Sequence, residues 1–412
     1  MSQFIPNVCI LVESYLPIIG GMEAAAHGVA QSMCSHGSNV TIITRRSSDK
    51  LPTIEVLDGV QVKRIRPTGP GQFQRWKMMF TCIPSLYSMR KDYDIIFVAG
   101  FRALGLPAVI VGKLLGKRCV LKADNNGEMS GEFFAGGFSK IGLRLSSLPV
   151  RIFIFLRNIA LRRADAFVSI SSDISEELKS CGVIKSNIYS IVNPVDTKRF
   201  HPVSEIEKRN RRQALNLPVD GKIVIFTGRL VSWKGLPLLL RVWRELNTKF
   251  SDAHLVLVGA GSDDIYNCED ELRTFVKENN LGRSVIFTGS VDNVNEYLQA
   301  SDIYVLPSEN DALPVALIEA MITGLAVIAT PISGIKDIVT DQETGLLVPV
   351  GDRDKLYFAL CRMLSDSELC RQLAKEAHQF AVQKCSTEAV GEQYIKLFQT
   401  YHDGHGRSSV MS

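Results

Sequence analysis

Arg229 and Lys234 stand five residues apart around a Gly-containing turn, after the apolar run at 222–227 and before a helix-like stretch that opens at Leu236. An arginine offers a planar fork of donors and a lysine a point charge, a combination suited to a diphosphate. Two solvated loop cations would share that spacing. Asp311 and Glu319 flank Pro314, which suits a first helical turn because its missing N–H costs nothing there. Asp311 then precedes the helix, where a carboxylate also serves as a plain cap or dipole partner worth roughly 0.3–1 kcal/mol. Glu319 interrupts the apolar run 312–322 and so points to a polar partner, such as a pair of sugar or ribose hydroxyls. Gly20 and Gly21 precede a helix opening at Glu23, and Gly259 and Gly261 follow another apolar run. Such glycines let backbone N–H groups approach an anion at a helix start, or simply make a turn.

The elements that must position these residues follow from periodicity. Short runs rich in Val and Ile at 7–12, 39–44, 95–99, 119–122, 166–170 and 188–192 read as buried strands, and the rhythm resumes at 222–227, 254–259, 284–288, 303–307 and 326–330. Helical patterns lie between them at 23–35, 103–115, 173–181, 236–248, 269–279 and 354–364. Strands alternating with helices imply parallel sheets covered on both faces. The rhythm pauses over the polar stretch 196–219, which reads as a linker. The expectation is two doubly wound α/β domains, 1–196 and 197–386, facing each other across a cleft. In such sheets ligands sit beyond the carboxyl ends of the strands, in the strand-to-helix loops.

Composition bounds the class. The chain has 412 residues, 46% hydrophobic and 22% charged, typical of a globular protein. Nine cysteines are scattered with no pair at zinc-ribbon spacing, which fits a reducing compartment. No basic residue precedes Arg45, so a secretory signal is not expected, and the apolar stretch 320–335 is too short for a spanning helix and contains Pro331. Residues 1–200 carry 25 basic against 15 acidic residues, and the remainder 22 against 28. Much of the basic surplus lies in 133–164, where six basic residues (Lys140, Arg144, Arg151, Arg157, Arg162 and Arg163) alternate with large apolar ones and no acid appears. Trp76, Lys77, Met78, Met79 and Phe80 form a second such patch. Cationic apolar helices lie at anionic membrane surfaces, so peripheral membrane contact through 133–164 is expected, the alternative being a helix pair packed on the first sheet. No aromatic–basic recognition motif for nucleic acid accompanies the charge.

Taken in order, these motifs resemble the family-four retaining glycosyltransferases of the GT-B fold, over nearly the whole chain. Pro17 through Gly20, Gly21, Met22 and Glu23 looks like that family's first glycine loop. Ala164-Asp165-Ala166 through Asn193-Pro194-Val195-Asp196 resembles the segment closing its first domain, and Gly228-Arg229-Leu230 with Lys234-Gly235 its diphosphate-binding pair. Asp311 to Glu319 is similar to its Glu-(seven residues)-Glu signature. The resemblance implies a nucleotide-diphospho-sugar donor, with a UDP-sugar favoured, and a glycan or lipid-linked acceptor in cell-envelope polysaccharide or glycolipid synthesis. It implies transfer that retains anomeric configuration, without a metal or other cofactor. Arg229 and Lys234 would neutralise the diphosphate and Glu319 would accept from the ribose. Asp311 would touch the transferred sugar, and the backbone at Gly20, Gly21, Ala312 and Leu313 would meet phosphate, with Gly259 nearby. A C-terminal helix at about 387–405 would pack back on the first domain, and the enzyme would work in the cytoplasm, at the cytoplasmic face of the inner membrane. The family's first Glu is Asp311 here, one methylene shorter, with Glu309 as a stand-in if the loop re-registers. Where a His commonly reaches the sugar this chain has Asp124, a base, a hydroxyl-orienting group or a turn residue. Pro194 stands where a Gly is common. The Asp311 and Asp124 changes also suit a donor-binding scaffold without transfer, and a sugar-nucleotide epimerase shares the fold.

Overall fold

The computed structural model describes residues 5–18, 20–69, 72–139, 144–261 and 266–403, so Lys140 and Ile141 of the basic segment lie outside it. The chain divides into two compact units, Met1–Pro194 with Thr387–Ser412, and Val195–Ser386. The strands are β1 (Val8–Val12), β2 (Val40–Arg45), β3 (Ile54–Leu57), β4 (Val60–Ile65), β5 (Ile95–Ala99), β6 (Arg118–Ala123), β7 (Ala166–Ser169) and β8 (Ile188–Ser190) in unit 1. Unit 2 holds β9 (Ile223–Thr227), β10 (His254–Val258), β11 (Val285–Gly289), β12 (Ile303–Leu306), β13 (Ala326–Ala329) and β14 (Leu346–Leu347). The helices of unit 1 are α1 (Gly21–Ser35), α2 (Gln72–Ser88), α3 (Phe101–Leu115), α4 (Ala135–Ser139), α5 (Leu148–Leu161) and α6 (Ser172–Ser180). Unit 2 continues with α7 (Glu205–Ala214), α8 (Leu236–Lys249), α9 (Glu269–Glu278), α10 (Val294–Gln299), α11 (Val315–Ile322), α12 (Ile335–Ile338), α13 (Arg353–Ser365) and α14 (Ser367–Cys385). The last helix, α15 (Thr387–Asp403), belongs to unit 1.

Unit 1 is built on a sheet ordered β3-β4-β2-β1-β5-β6-β7-β8, parallel throughout except for the antiparallel β3–β4 pair. Its central strands are apolar along their whole length and wholly buried, as strands covered on both faces must be. Ile10 and Phe97 turn toward a core shared with Val29 and Met33 of α1 and with Tyr394 and Phe398 of α15. Phe97 meets Tyr394 edge-on at 5.4 Å. Ile96 points the other way, toward α3, where a Cβ on Gly112 would lie 3.7 Å from its Cδ1. The α1–α15 approach depends on Gly391, since a Cβ there would stand 2.7 Å from the Ser32 carbonyl oxygen.

Unit 2 has a six-stranded parallel sheet, β11-β10-β9-β12-β13-β14. Trp243 of α8 is fully buried, and its indole N–H donates to Ser284 Oγ at 3.3 Å.

Two features differ from the sequence expectation. The stretch 196–219 is not a bare linker: α7 occupies 205–214, started by a capping box in which Ser204 and Glu207 satisfy each other's backbone N–H groups. Unit 1 also carries the unforeseen β3–β4 hairpin, joined by Asp58 and Gly59, both with positive φ (49° and 82°), the geometry of a tight two-residue turn.

Phe398→Ala should remove about 3–5 kcal/mol from unit 1, the cost of emptying a buried aromatic site. In urea denaturation of the full chain, the transition reporting unit 1 should move to lower denaturant while that of unit 2 stays in place.

Candidate functional site

The loop leaving β9 is shaped by what lies against it. After Gly228 and Arg229, a single turn of tight helix spans Ser232–Lys234, and Gly235 adopts φ +73° before α8 begins. A Cβ on Gly235 would lie 2.0 Å from the Pro307 carbonyl oxygen, so this loop abuts the loop leaving β12. The backbone N–H of Glu309 donates to Trp233 O at 2.8 Å and ties the two loops together, while the Glu309 side chain faces solvent. Lys234 is buried to within 9% of its surface and donates from Nζ to Asp311 Oδ2 at 2.5 Å. Its ammonium also lies 4.7 Å from the centre of the Trp233 ring, and the Arg229 guanidinium lies 5.5 Å from the same ring. Asp311 therefore pairs with Lys234 and does not cap α11, whose N-cap is Pro314 with no side-chain bond. Ala312 accepts from Gly334 N–H at 2.6 Å, and Leu313 is buried.

Glu319 lies in the second turn of α11 with part of its surface open. Among the described residues no group donates a hydrogen bond to its carboxylate. Desolvation pushes its pKa up to about 7, opposed by the positive charge of Arg199. Gly259 (φ +137°) closes the opposite side of the β9 loop: its N–H donates to Gly289 O at 3.0 Å, and a Cβ would lie 1.9 Å from Gly228 O. Unit 2 thus gathers Arg229, Lys234, Asp311 and Gly259 into touching loops at the carboxyl ends of its strands, with Glu319 on the helix that follows.

Gly20, Gly21 and Asp124 belong to unit 1. Gly20 is the N-cap of α1 and Gly21 its first residue. The Glu23 carboxylate, which accepts from Ser14 Oγ, reaches back over this turn, so that a Cβ on Gly20 would lie 2.6 Å from Glu23 Oε2. An anion already faces this helix start. Asp124 is buried and ion-paired with Lys122, its neighbour two residues back along β6. Glu128, which sequence reasoning missed, is buried beside them. Its carboxylate accepts from the Phe101 N–H at 2.8 Å and from the Asp124 and Asn125 N–H groups at 3.2 Å. Burial raises its pKa to about 7 despite the opposing charge of Arg102. Glu177 receives three further N–H groups, from Gly127, Met129 and Ser130 at 2.6–2.9 Å, and Arg157 donates to Glu128 O at 2.7 Å. Together these side chains hold the loop 124–130. The two-residue spacing of Lys122, near the end of β6, and Asp124, just past it, was the readable signal for the first pair; nothing local announces the reach of Glu177.

A glutamate whose folded pKa exceeds its unfolded value keeps a proton in the folded state between about pH 4.5 and 7 that the unfolded chain has released. Stability contributed by that proton is lost as pH rises through this window. Glu319→Gln should therefore melt with the parent near pH 4 and above it at pH 8, by about 1–3 kcal/mol, in a pH series of thermal unfolding.

Comparison with known proteins covers both units. The model for "Glycosyl transferases group 1" matches residues 207–380, and that for "Glycosyltransferase Family 4" matches 19–199. An uncharacterized glycosyltransferase of Methanocaldococcus jannaschii is 23% identical over 97% of this chain and 100% of its own length. The lipopolysaccharide core biosynthesis glycosyltransferase LpsE of Rhizobium meliloti is 28% identical over 62% of this chain and 68% of its own. Among solved structures, sucrose-phosphate synthase of Thermosynechococcus elongatus superposes with a TM-score of 0.77 at 22% identity, over 97% of this chain and 99% of that one. Anabaena HepE, solved in complex with UDP-glucose, superposes with a TM-score of 0.74 at 16% identity, over 96% and 100%. The fold these neighbours share is GT-B.

Proposed function

The chain belongs to the group 1, family-four glycosyltransferases, and from that premise we propose that it transfers a sugar from a nucleotide-diphospho-sugar, a UDP-sugar by preference, to a glycan or lipid-linked acceptor of the cell envelope. The observation that carries this reading is the cationic pair Arg229 and Lys234 at the strand ends, with Lys234 held by Asp311 and with Glu319, which has no donor among the described residues, on the next helix. The UDP-glucose complex of Anabaena HepE supports the choice of donor, and the LpsE relationship supports an envelope acceptor.

In this mechanism Arg229 and Lys234 meet the diphosphate, where negative charge grows as the glycosidic bond breaks, and stabilisation matters most there. Glu319 accepts from the ribose hydroxyls, which supply the donors its carboxylate lacks among the described residues. Asp311 orients Lys234 and touches a hydroxyl of the transferred sugar. The acceptor oxygen bonds to the anomeric carbon on the face that the diphosphate leaves, and its proton passes to the departing phosphate oxygen, so configuration is retained. The two cations take the place a metal would otherwise fill. The Gly20–Gly21 turn, already faced by Glu23, contributes backbone shape, and Asp124, locked to Lys122, contributes position. Among the described residues no helix is long and apolar enough to cross a membrane.

Calorimetric titration of UDP without added metal tests the reading. Charge-assisted contacts contribute roughly 1.5–3 kcal/mol each, so Arg229→Ala and Lys234→Ala should each weaken UDP roughly ten- to a hundredfold. Absence of UDP, GDP or ADP binding to the parent chain would overturn the proposed donor site.

A further inference from the structure

Soluble domains turn the apolar stripe of a surface helix inward. Two helices of unit 1 also carry such a stripe outward. On α2, Trp76, Phe80, Ile83 and Tyr87 recur at spacings of four, three and four, and all are exposed, Phe80 by 72%. On α5, Leu148, Ile152, Phe155 and Ile159 repeat the same spacing and are exposed as well, Leu148 by 70%. The stripes are joined by aromatic contacts: Trp76 stacks on Phe134 at 5.6 Å, and Phe134 meets Phe153 edge-on at 5.8 Å. Between them α3 packs against both helices and exposes Ile110 and Leu114.

Charge selects the occupant. Helices α2, α3 and α5 contain no Asp or Glu. Arg144, Arg151 and Arg163 are exposed at or beside α5 and make no ion pair among the described residues. An open cleft of about 760 Å³ beside α5 presents Arg151 and Arg162 with the Ser130 hydroxyl against Ile154 and Phe155, Glu132 being its one acid. A broad apolar face edged by unpaired cations matches a surface that is apolar within and anionic at its boundary. We propose that α2, α3 and α5 together form a docking surface for an anionic lipid bilayer. The apolar stripes enter the headgroup–acyl boundary and the arginines meet lipid phosphates. This extends the contact beyond 133–164 to two further helices, and it stands whether or not the chain transfers sugar.

The test is co-sedimentation of the full chain with phosphatidylcholine vesicles, with and without about 30% phosphatidylglycerol. The parent should pellet with the anionic vesicles and far less with the neutral ones. Each arginine contributes roughly fivefold to partitioning, so Arg144→Gln, Arg151→Gln and Arg163→Gln combined should weaken it roughly a hundredfold. Phe80→Ser with Phe155→Ser should abolish it. UDP stabilisation measured on each variant shows that the fold and the unit 2 site are intact, and separates a failure here from a failure of the donor assignment. A parent chain that stays in the supernatant overturns the proposal, as does pelleting that the arginine changes leave untouched. Self-association lost in the Phe80/Phe155 variant, without vesicle binding, overturns it in favour of a second copy on this face.

Discussion

The contact between Lys234 and Asp311 organises the loops of unit 2. A parallel sheet delivers all its strand-to-helix loops to one end, and they must then pack against one another without a second sheet to order them. Here the β9 loop meets the β12 loop through a glycine that leaves no room for a side chain, a backbone hydrogen bond from Glu309 to Trp233, and an ammonium and a carboxylate 2.5 Å apart. Removing either charge would leave the other buried and uncompensated, which is the costly outcome for such a pair. The aspartate's shorter side chain suffices because the lysine comes to it. The same pairing leaves Lys234 two further N–H donors for a ligand.

Two glutamates show what a desolvated carboxylate becomes in different company. Glu128 and Glu319 are both pushed toward neutral pH by burial. Glu128 is surrounded by backbone N–H groups and holds a loop in place, so its burial is resolved within the fold. Glu319 has no donor among the described residues, and an unsatisfied polar group in such a setting carries a free-energy cost that a hydroxyl-bearing ligand relieves. Elements of similar chemistry thus divide into a structural role and a receptive one according to what the neighbouring backbone supplies.

The outward apolar stripes of α2 and α5 follow from the same economy of packing. The sheet face beneath them is filled by residues such as Ile96 and by the inner sides of α3, and the stripes point away from it. Neither helix contains an acidic residue, and the exposed Arg151, with Arg144 and Arg163 beside α5, edges the face with positive charge, a composition compatible with an anionic boundary.

The sequence by itself determined the alternation of strands and helices, the place of the cationic pair and of Asp311 and Glu319, and the basic apolar segment. These are local: Val-Ile runs, period and loop chemistry are written in consecutive residues. The strand at 95–99 was readable to the residue because both its faces are buried and its run is unbroken. The β3–β4 hairpin escaped because its outer strand is exposed and alternates, although Asp58-Gly59 carried a turn signal, and α7 escaped because its polar sequence hid the Ser204–Glu207 cap. Only the tertiary structure decided that Asp311 pairs with Lys234 rather than capping its helix, that Asp124 is tied to Lys122, that Glu23 faces the first glycine turn, and that Glu128 and Glu177 hold a loop. Each of those outcomes depends on distances between side chains brought together by the sheet, or on how much water remains around a carboxylate, and neither quantity is local to the chain.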